Sequence, residues 1–445
     1  MNWQQYSKTE PFRFQEEVVD KSWDKDYYGL FLEQGTGKTK IAIDTINRLM
    51  LAGKIQGAVI VCPKSLIFNW TKNEIPKHSK IQFDDDSLLV TNYENLKNVE
   101  GFLNAKPSIL ILDESSKIKN RRSQRTVKLL KLSKIAKYKR LLSGTPVSQG
   151  VQDLFSQLEF LKKDLLGNYY QFKYHYLITK RMSIGTRSFD KIVGYKNIEQ
   201  LHKILDTFCS RVLKTDVLEL PSKIYDRVMV DMTSEQRSVY NELRQNMIVE
   251  YEDNVLTTPE VITRLLRLQQ IAGGFMPTDD GEMIAFDPNP KINALMDILN
   301  PNEKTVIWCR FIAEIKAIQS KINKEFGDGS AVTFIGENTP EERFQSSDSF
   351  QNGDSKVFIG NPQTGGMGLT LTSSSRVIYF SNDFSLENRL QSEDRVHRIG
   401  QKNPVTYTDL VCNRSIDLYV LQALRNKRNV SEAATDFVGA SIGVS

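Results

Sequence analysis

Seven consecutive residues, Glu33-Gln34-Gly35-Thr36-Gly37-Lys38-Thr39, follow the strand-like run G-L-F-L and lead into the helical I-A-I-D-T-I-N-R-L-M. A strand, a glycine-bearing turn and a helix start aim backbone N–H groups and the positive end of the helix dipole at one point, which suits a triphosphate. In such a turn Gly35 and Gly37, flanking Thr36, let the backbone close on phosphates, Lys38 meets the β and γ phosphates, and the Thr39 hydroxyl holds Mg2+. Leu32 stands where the full G-x-x-x-x-G-K-[ST] pattern has its first glycine.

Further along, S-I-L-I-L runs into Asp113-Glu114. An acidic pair at the carboxyl end of a buried strand lies on the sheet edge where ligands bind, so it should share that edge with the glycine loop. Asp113 is expected on Mg2+, and Glu114 is expected to orient and deprotonate the attacking water. Leu141-Leu142-Ser143-Gly144-Thr145-Pro146 offers two hydroxyls, Ser143 and Thr145, that can sense a γ phosphate, although the same letters also make a plain turn. In Q-S-E-D-R-V-H-R, residues Gln391, Arg395 and Arg398 stand at i, i+4 and i+7, one face of a helix. Their guanidinium groups suit the charge of a transferring phosphoryl. Read alone, the segment is better taken as a surface helix whose arginines meet Glu393 and Asp394 in exposed ion pairs.

Strand-length apolar runs alternate with helical patterns through the first part of the chain: G-L-F-L, A-V-I-V, S-L-L-V and S-I-L-I-L. Such runs, bounded by polar residues and separated by helices, predict a parallel sheet covered on both faces. Helical periodicity then dominates Val151 to about Tyr176 and Ser234 to about Ile271, and strand-like runs return at T-V-I-W, A-V-T-F-I, K-V-F-I and R-V-I-Y-F. The expectation is an α/β protein of two parallel-sheet domains with helical material between them. The closing S-E-A-A-T-D-F-V-G-A-S-I-G-V-S reads as a loosely held tail.

The chain has 445 residues, 40% of them apolar and 25% charged, which fits neither global disorder nor a membrane protein. With no leader-like start and no apolar run near membrane-spanning length, a cytoplasmic protein is expected. Four cysteines and four histidines are too scattered for a zinc clip or a disulfide framework, and the cysteines read as reduced core residues. The net charge of +5 is a local matter: eleven Lys or Arg and no acid lie between Lys117 and Arg140, leaving 48 basic against 54 acidic residues elsewhere. Leu129, Leu132 and Ala136 fall at helical spacing there, with Lys128, Lys131, Lys134 and Lys137 on other faces, so a cationic amphipathic helix is expected. That helix either faces water or meets a polyanion.

Taken in order from about Phe12 to Gln401, these segments resemble the SWI/SNF-type DNA-dependent ATPases of helicase superfamily two. R-F-Q resembles the adenine-recognising segment, E-Q-G-T-G-K-T motif I, V-I-V-C-P-K-S-L-I-F-N-W motif Ia, D-E-S-S-K-I-K-N motif II and S-G-T-P-V-S-Q motif III. T-V-I-W-C-R-F resembles motif IV, T-G-G-M-G-L-T-L-T motif V and Q-S-E-D-R-V-H-R-I-G-Q motif VI, while D-L-F-S-Q-L-E-F-L, R-V-L-K-T-D-V and L-P-S-K are similar to the family's own helical insertion. The chain looks closest to compact members such as the annealing helicases and to stand-alone bacteriophage or bacterial copies. Two places depart from the family pattern: Ser116 replaces the usual His of motif II, and Phe384-Ser385-Leu386 stands for the expected W-N-P.

The resemblance implies two RecA-like lobes of the P-loop NTPase class. The first would span residues 1–215 with a helical insertion at about 151–210, and the second 216–445 with one at about 232–275. It implies ATP and Mg2+, with Arg13 and Gln15 at the base, Gly366, Gly368 and Gln391 also at the nucleotide, and Ser143 and Thr145 coupling nucleotide state to DNA. Glu114, Lys38, Arg395 and Arg398 would be catalytic, and Thr39 and Asp113 would hold the metal. Lys64, Lys119, Arg121, Arg122 and Thr364 would touch DNA. The implied activity is an ATP-driven translocase on double-stranded or branched DNA, acting as a monomer in the cytoplasm of a bacterium or phage-infected host. A strand-separating helicase and a nucleotide-gated DNA-binding module are the rival readings.

Overall fold

A computed structural model of the chain describes residues 3–147, 150–184, 187–252, 258–278, 283–365 and 369–426. The chain divides into two compact units, Met1–Glu219 and Leu220–Ser445. Among the described residues each unit is built on a six-stranded, wholly parallel sheet.

The strands of the first unit are β1 Tyr27–Leu32, β2 Gly57–Cys62, β3 Leu88–Asn92, β4 Ser108–Asp113, β5 Tyr138–Leu142 and β8 Cys209–Val212, in the order β3-β2-β4-β5-β1-β8. Continuous apolar runs make β2 and β4 buried along their whole length, as strands covered on both faces must be. Between β5 and β8 the helices Leu154–Leu161 and Tyr169–Tyr176 form where the helical period falls, but an antiparallel ribbon follows them, β6 Leu177–Ile184 paired with β7 Arg187–Tyr195. The insertion is therefore not purely helical.

The expected long basic helix is also corrected. Only Gln124–Leu132 is helical there; Ser123 caps it through Thr126 N, and the chain enters β5 at Tyr138. Lys128, Lys131 and Lys134 are exposed, whereas Arg140 is fully buried within β5. Its guanidinium donates to the carbonyls of Lys139 (2.7 Å), Ser22 (2.6 Å) and Trp23 (3.1 Å), at the end of the helix Arg13–Ser22. Burial lowers the Arg140 pKa to about 10.

In the second unit the strands are β9 Lys223–Val230, the antiparallel pair β10 Phe275–Pro277 and β11 Met283–Ala285, then β12 Thr305–Trp308, β13 Ala331–Phe334, β14 Val357–Gly360, β15 Arg376–Tyr379 and β16 Val405–Cys412. The sheet order is β13-β14-β12-β15-β16-β9. Alternate residues feed two cores: Ile307, Ile359, Ile378 and Leu410 join one, and Val306, Trp308, Phe358, Val377 and Tyr407 the other. A third cluster, with Tyr240, Leu265, Leu268 and Val420, packs the helices Ser234–Glu252, Thr258–Ala272 and Ile416–Arg425. All four cysteines are buried and free. No helix among the described residues is long and apolar enough to cross a membrane. The closing segment, 431–445, lies outside the described residues.

Candidate functional site

The parallel register sets β1, β4 and β5 side by side with their carboxyl ends level: Leu30 pairs with Leu142, and Asp113 with Leu142. The glycine loop, the acidic pair and the S-G-T-P turn therefore leave the sheet at one edge, where parallel sheets bind ligands.

The loop has the backbone that its glycines permit. Gly35 and Gly37 take φ of +79° and +86°, and Gly37 precedes the helix Lys38–Leu51. A Cβ on Gly37 would lie 2.3 Å from Gln15 Nε2, so a side chain there would displace the Gln15 amide as well as strain a left-handed backbone. Gln15 is buried and donates through Nε2 to Thr36 O (2.9 Å), while its Oε1 accepts from Phe12 N (3.0 Å). The Thr36 hydroxyl donates to Glu33 O (2.7 Å). Lys38 is buried at the start of the helix, its ammonium on the carbonyls of Leu32 (2.9 Å) and Glu33 (3.1 Å). Thr39 follows, half-buried. Arg13 stands apart: its side chain is 94% exposed and pairs with Glu17.

Across the edge, Asp113 is buried at the end of β4. Its Oδ2 accepts from the Trp70 indole (2.9 Å) and its Oδ1 from Glu114 N (3.0 Å). Burial first, then repulsion from Glu114, raises the Asp113 pKa to about 6, against the opposing pull of the Trp70 hydrogen bond and the nearby Lys38. Glu114 is a non-glycine residue at φ +53°, a strained conformation of the kind found at functional sites. Its Oε1 accepts from Gln34 Nε2 (3.1 Å), and its Oε2 is buried with no hydrogen-bond partner. Gln34 also packs on the third element, since a Cβ on Gly144 would lie 3.0 Å from its side chain. Ser143 is fully buried, its hydroxyl accepting from Thr145 N (3.2 Å).

One more side chain ties the acidic turn to S-G-T-P. Gln157, buried on Leu154–Leu161, accepts from the Ser115 hydroxyl (2.7 Å) and donates to the carbonyls of Pro146 (2.7 Å) and Asp153 (2.8 Å). Ser116, at the departure in motif II, is half-buried on the turn Ser115–Ile118. Gln34, Trp70 and Gln157 are the residues that reasoning from sequence left without a role, though each sits inside a quoted motif or segment.

The donors assembled here are hard oxygens beside an ammonium and a glycine-lined helix start. That set fits a Mg2+ nucleotide: Asp113 and Thr39 could hold the metal, and the loop amides and Lys38 the phosphates.

In the second unit the arginine helix is Leu386–Val396, capped by the Ser385 hydroxyl accepting from Asn388 N (3.2 Å). It ends before Arg398, which corrects the expectation that Gln391, Arg395 and Arg398 share one helical face. Arg395 is buried in the last turn, and Arg398 donates from beyond it to Leu369 O (2.9 Å). Gln391 Nε2 donates to Glu387 Oε1 at 3.3 Å. On the same helix Arg389 meets Glu393 (2.9 Å) and Asp409 (2.6 Å) over the Tyr379 ring, and Glu393 also accepts from Lys223 Nζ (2.9 Å). Gly366 and Gly368 lie outside the described residues, and Thr364 falls on the helical turn Pro362–Gly365. Of the other residues expected at DNA, Lys64 and Arg122 are exposed and Lys119 and Arg121 half-buried, with Arg121 over the Tyr169 ring.

The SNF2-related domain matches residues 29–273, more than half of the chain, and the helicase conserved C-terminal domain matches residues 290–400. The chain belongs to the SNF2-related family. An uncharacterized ATP-dependent helicase of Mycoplasma genitalium is 25% identical over 92% of this chain and 40% of its own length. The DNA annealing helicase and endonuclease ZRANB3 of Bos taurus is 27% identical over 90% of this chain and 38% of its own. This SNF2-related chain thus spans about 40% of the length of these curated relatives. Among solved structures, the Sulfolobus solfataricus SWI2/SNF2 ATPase core in complex with dsDNA matches at 23% identity over 99% of this chain and 97% of that one, with a TM-score of 0.42.

Proposed function

We propose that this chain is an enzyme that hydrolyses ATP and uses the energy to move along double-stranded DNA, remodelling branched DNA or protein–DNA complexes as a monomer in the cytoplasm. The observation that carries the reading is the Lys38, Asp113 and Glu114 constellation, gathered at one sheet edge and bridged by Gln34. Lys38 and the loop amides neutralise phosphate charge, and Gln15 faces the base. Asp113 and Thr39 hold Mg2+, which when bound offsets the negative charge of the phosphoryl oxygens. Glu114, with Oε2 uncommitted, orients and deprotonates the attacking water. Arg395 and Arg398 supply the positive charge that stabilises phosphoryl transfer.

Glu114 as general base, together with the two arginines, speaks against a clamp that binds nucleotide without turning it over, since a clamp needs neither. The test is phosphate release with and without a duplex. Lys38→Ala, Glu114→Gln and Arg398→Ala should each abolish duplex-stimulated turnover while leaving the protein folded. Turnover like that of the parent in all three would end the assignment. Displacement of a third strand from a triplex, without separation of a fork, distinguishes a duplex tracker from a strand-separating helicase.

A further inference from the structure

The β6–β7 ribbon of the first unit carries none of the residues assigned to the nucleotide, and its charge is arranged on one side. Cross-strand register sets Lys180 directly against Lys191, both exposed, with exposed Met182 two residues along on the same face. Like charges directly opposite destabilise a strand pair, and a threonine at either position would avoid that cost. Asp190, the ribbon's one acid, pairs in register with Arg181 on the other face and accepts from Lys173 Nζ (2.5 Å) of the supporting helix Tyr169–Tyr176. Among the described residues, no acid of the ribbon shares the lysine face. At the ribbon's base Lys196 lies over the ring of Tyr174, which is 74% exposed.

Strands of eight and nine residues give a ribbon roughly 26 Å long at about 3.3 Å per residue. A two-stranded ribbon is one of the elements that the B-DNA major groove admits. We propose that the β6–β7 ribbon lies along duplex DNA, with Lys180 and Lys191 facing phosphates. This rests on the DNA-directed reading above and names the element that grips the duplex.

The test is fluorescence anisotropy of a 30-bp duplex titrated with the full chain from 50 to 200 mM NaCl. Lys180→Thr/Lys191→Thr should lower the slope of log affinity against log salt by about 1.8, because each lost phosphate contact is worth about 0.9. Lys180→Arg/Lys191→Arg should restore it, and phosphate release without DNA should not change in either variant. Since the threonine pair relieves a like-charge contact, its melting temperature should equal or exceed that of the parent. An unchanged slope overturns the proposal. So does an equal fall in Lys321→Gln/Lys324→Gln, which removes two charges from the second unit, or a loss seen with a single strand but not the duplex. If the parent itself shows no salt-dependent duplex binding, the DNA-directed reading fails with it, whereas an unchanged slope in the threonine pair alone leaves that reading standing.

Discussion

Trp70 is the residue whose role the geometry changes most. Its indole is 1% exposed and hydrogen-bonds Asp113 Oδ2, so it fixes the carboxylate's orientation and holds down a pKa that burial pushes up. Trp70→Phe keeps an aromatic ring, though a smaller one, and removes the donor. A hydrogen bond to a charged group contributes roughly 1.5–3 kcal/mol, so the Mg2+ concentration for half-maximal ATPase should rise about tenfold or more. A metal titration of the variant checks this, and an unchanged midpoint would make Trp70 a packing residue only. Glu114 makes a related point. Its left-handed backbone costs on the order of 1–3 kcal/mol, and it lies where Gln34 and the Asp113 carboxylate meet it.

At the level of elements, Gln157 joins the helix Leu154–Leu161 to the turns after β4 and β5. Gln157→Leu would leave the Ser115 hydroxyl and two carbonyls without that partner, at about 1–3 kcal/mol for each buried group left unsatisfied. Urea denaturation should register the loss, and the ratio of duplex-stimulated to basal turnover should fall because the acidic turn and S-G-T-P are no longer linked. The sheet strands with unbroken apolar runs, such as β2 and β4, were legible because burial on both faces writes itself into composition. Strands β5 (Y-K-R-L-L) and β8 (C-S-R-V) were not: β5 carries Lys139 and Arg140, and the buried Arg140 is tolerable only because backbone carbonyls from another element meet it, while β8 is a short edge strand with Arg211 exposed. The β6–β7 ribbon escaped too, being exposed on both faces and lacking a strong alternation. Within the site, G-T-G-K-T and D-E were readable from local chemistry. The roles of Gln34, Trp70 and Gln157 depend on which loops the parallel register brings together, and no short motif encodes that.

Across the whole molecule, each unit holds its own core, and the second contains a buried acid that makes its stability depend on pH. Glu314 accepts from Ser381 Oγ and Phe311 N, with Lys291 and Asp417 nearby, and burial raises its pKa from 4.5 to about 7. The folded protein then holds a proton that the unfolded chain releases between about pH 4.5 and 7. Stability should therefore fall as pH rises through that window and level off above it. Glu314→Gln removes this slope and should gain up to about 3 kcal/mol over the parent at pH 8, with the gain falling below about 1 kcal/mol at pH 5. Denaturant midpoints at the two pH values decide, since Asp113, which titrates in the same range, is common to both proteins. A last consequence concerns Arg140, the final member of the eleven-cation run. It works as a rivet that fastens β5 to the end of the helix on which Gln15 is mounted. Neutralising that run wholesale would loosen the helix that carries Gln15, the residue proposed at the base, and should weaken nucleotide affinity, a loss easily mistaken for evidence that every lysine and arginine in the stretch serves the polyanion.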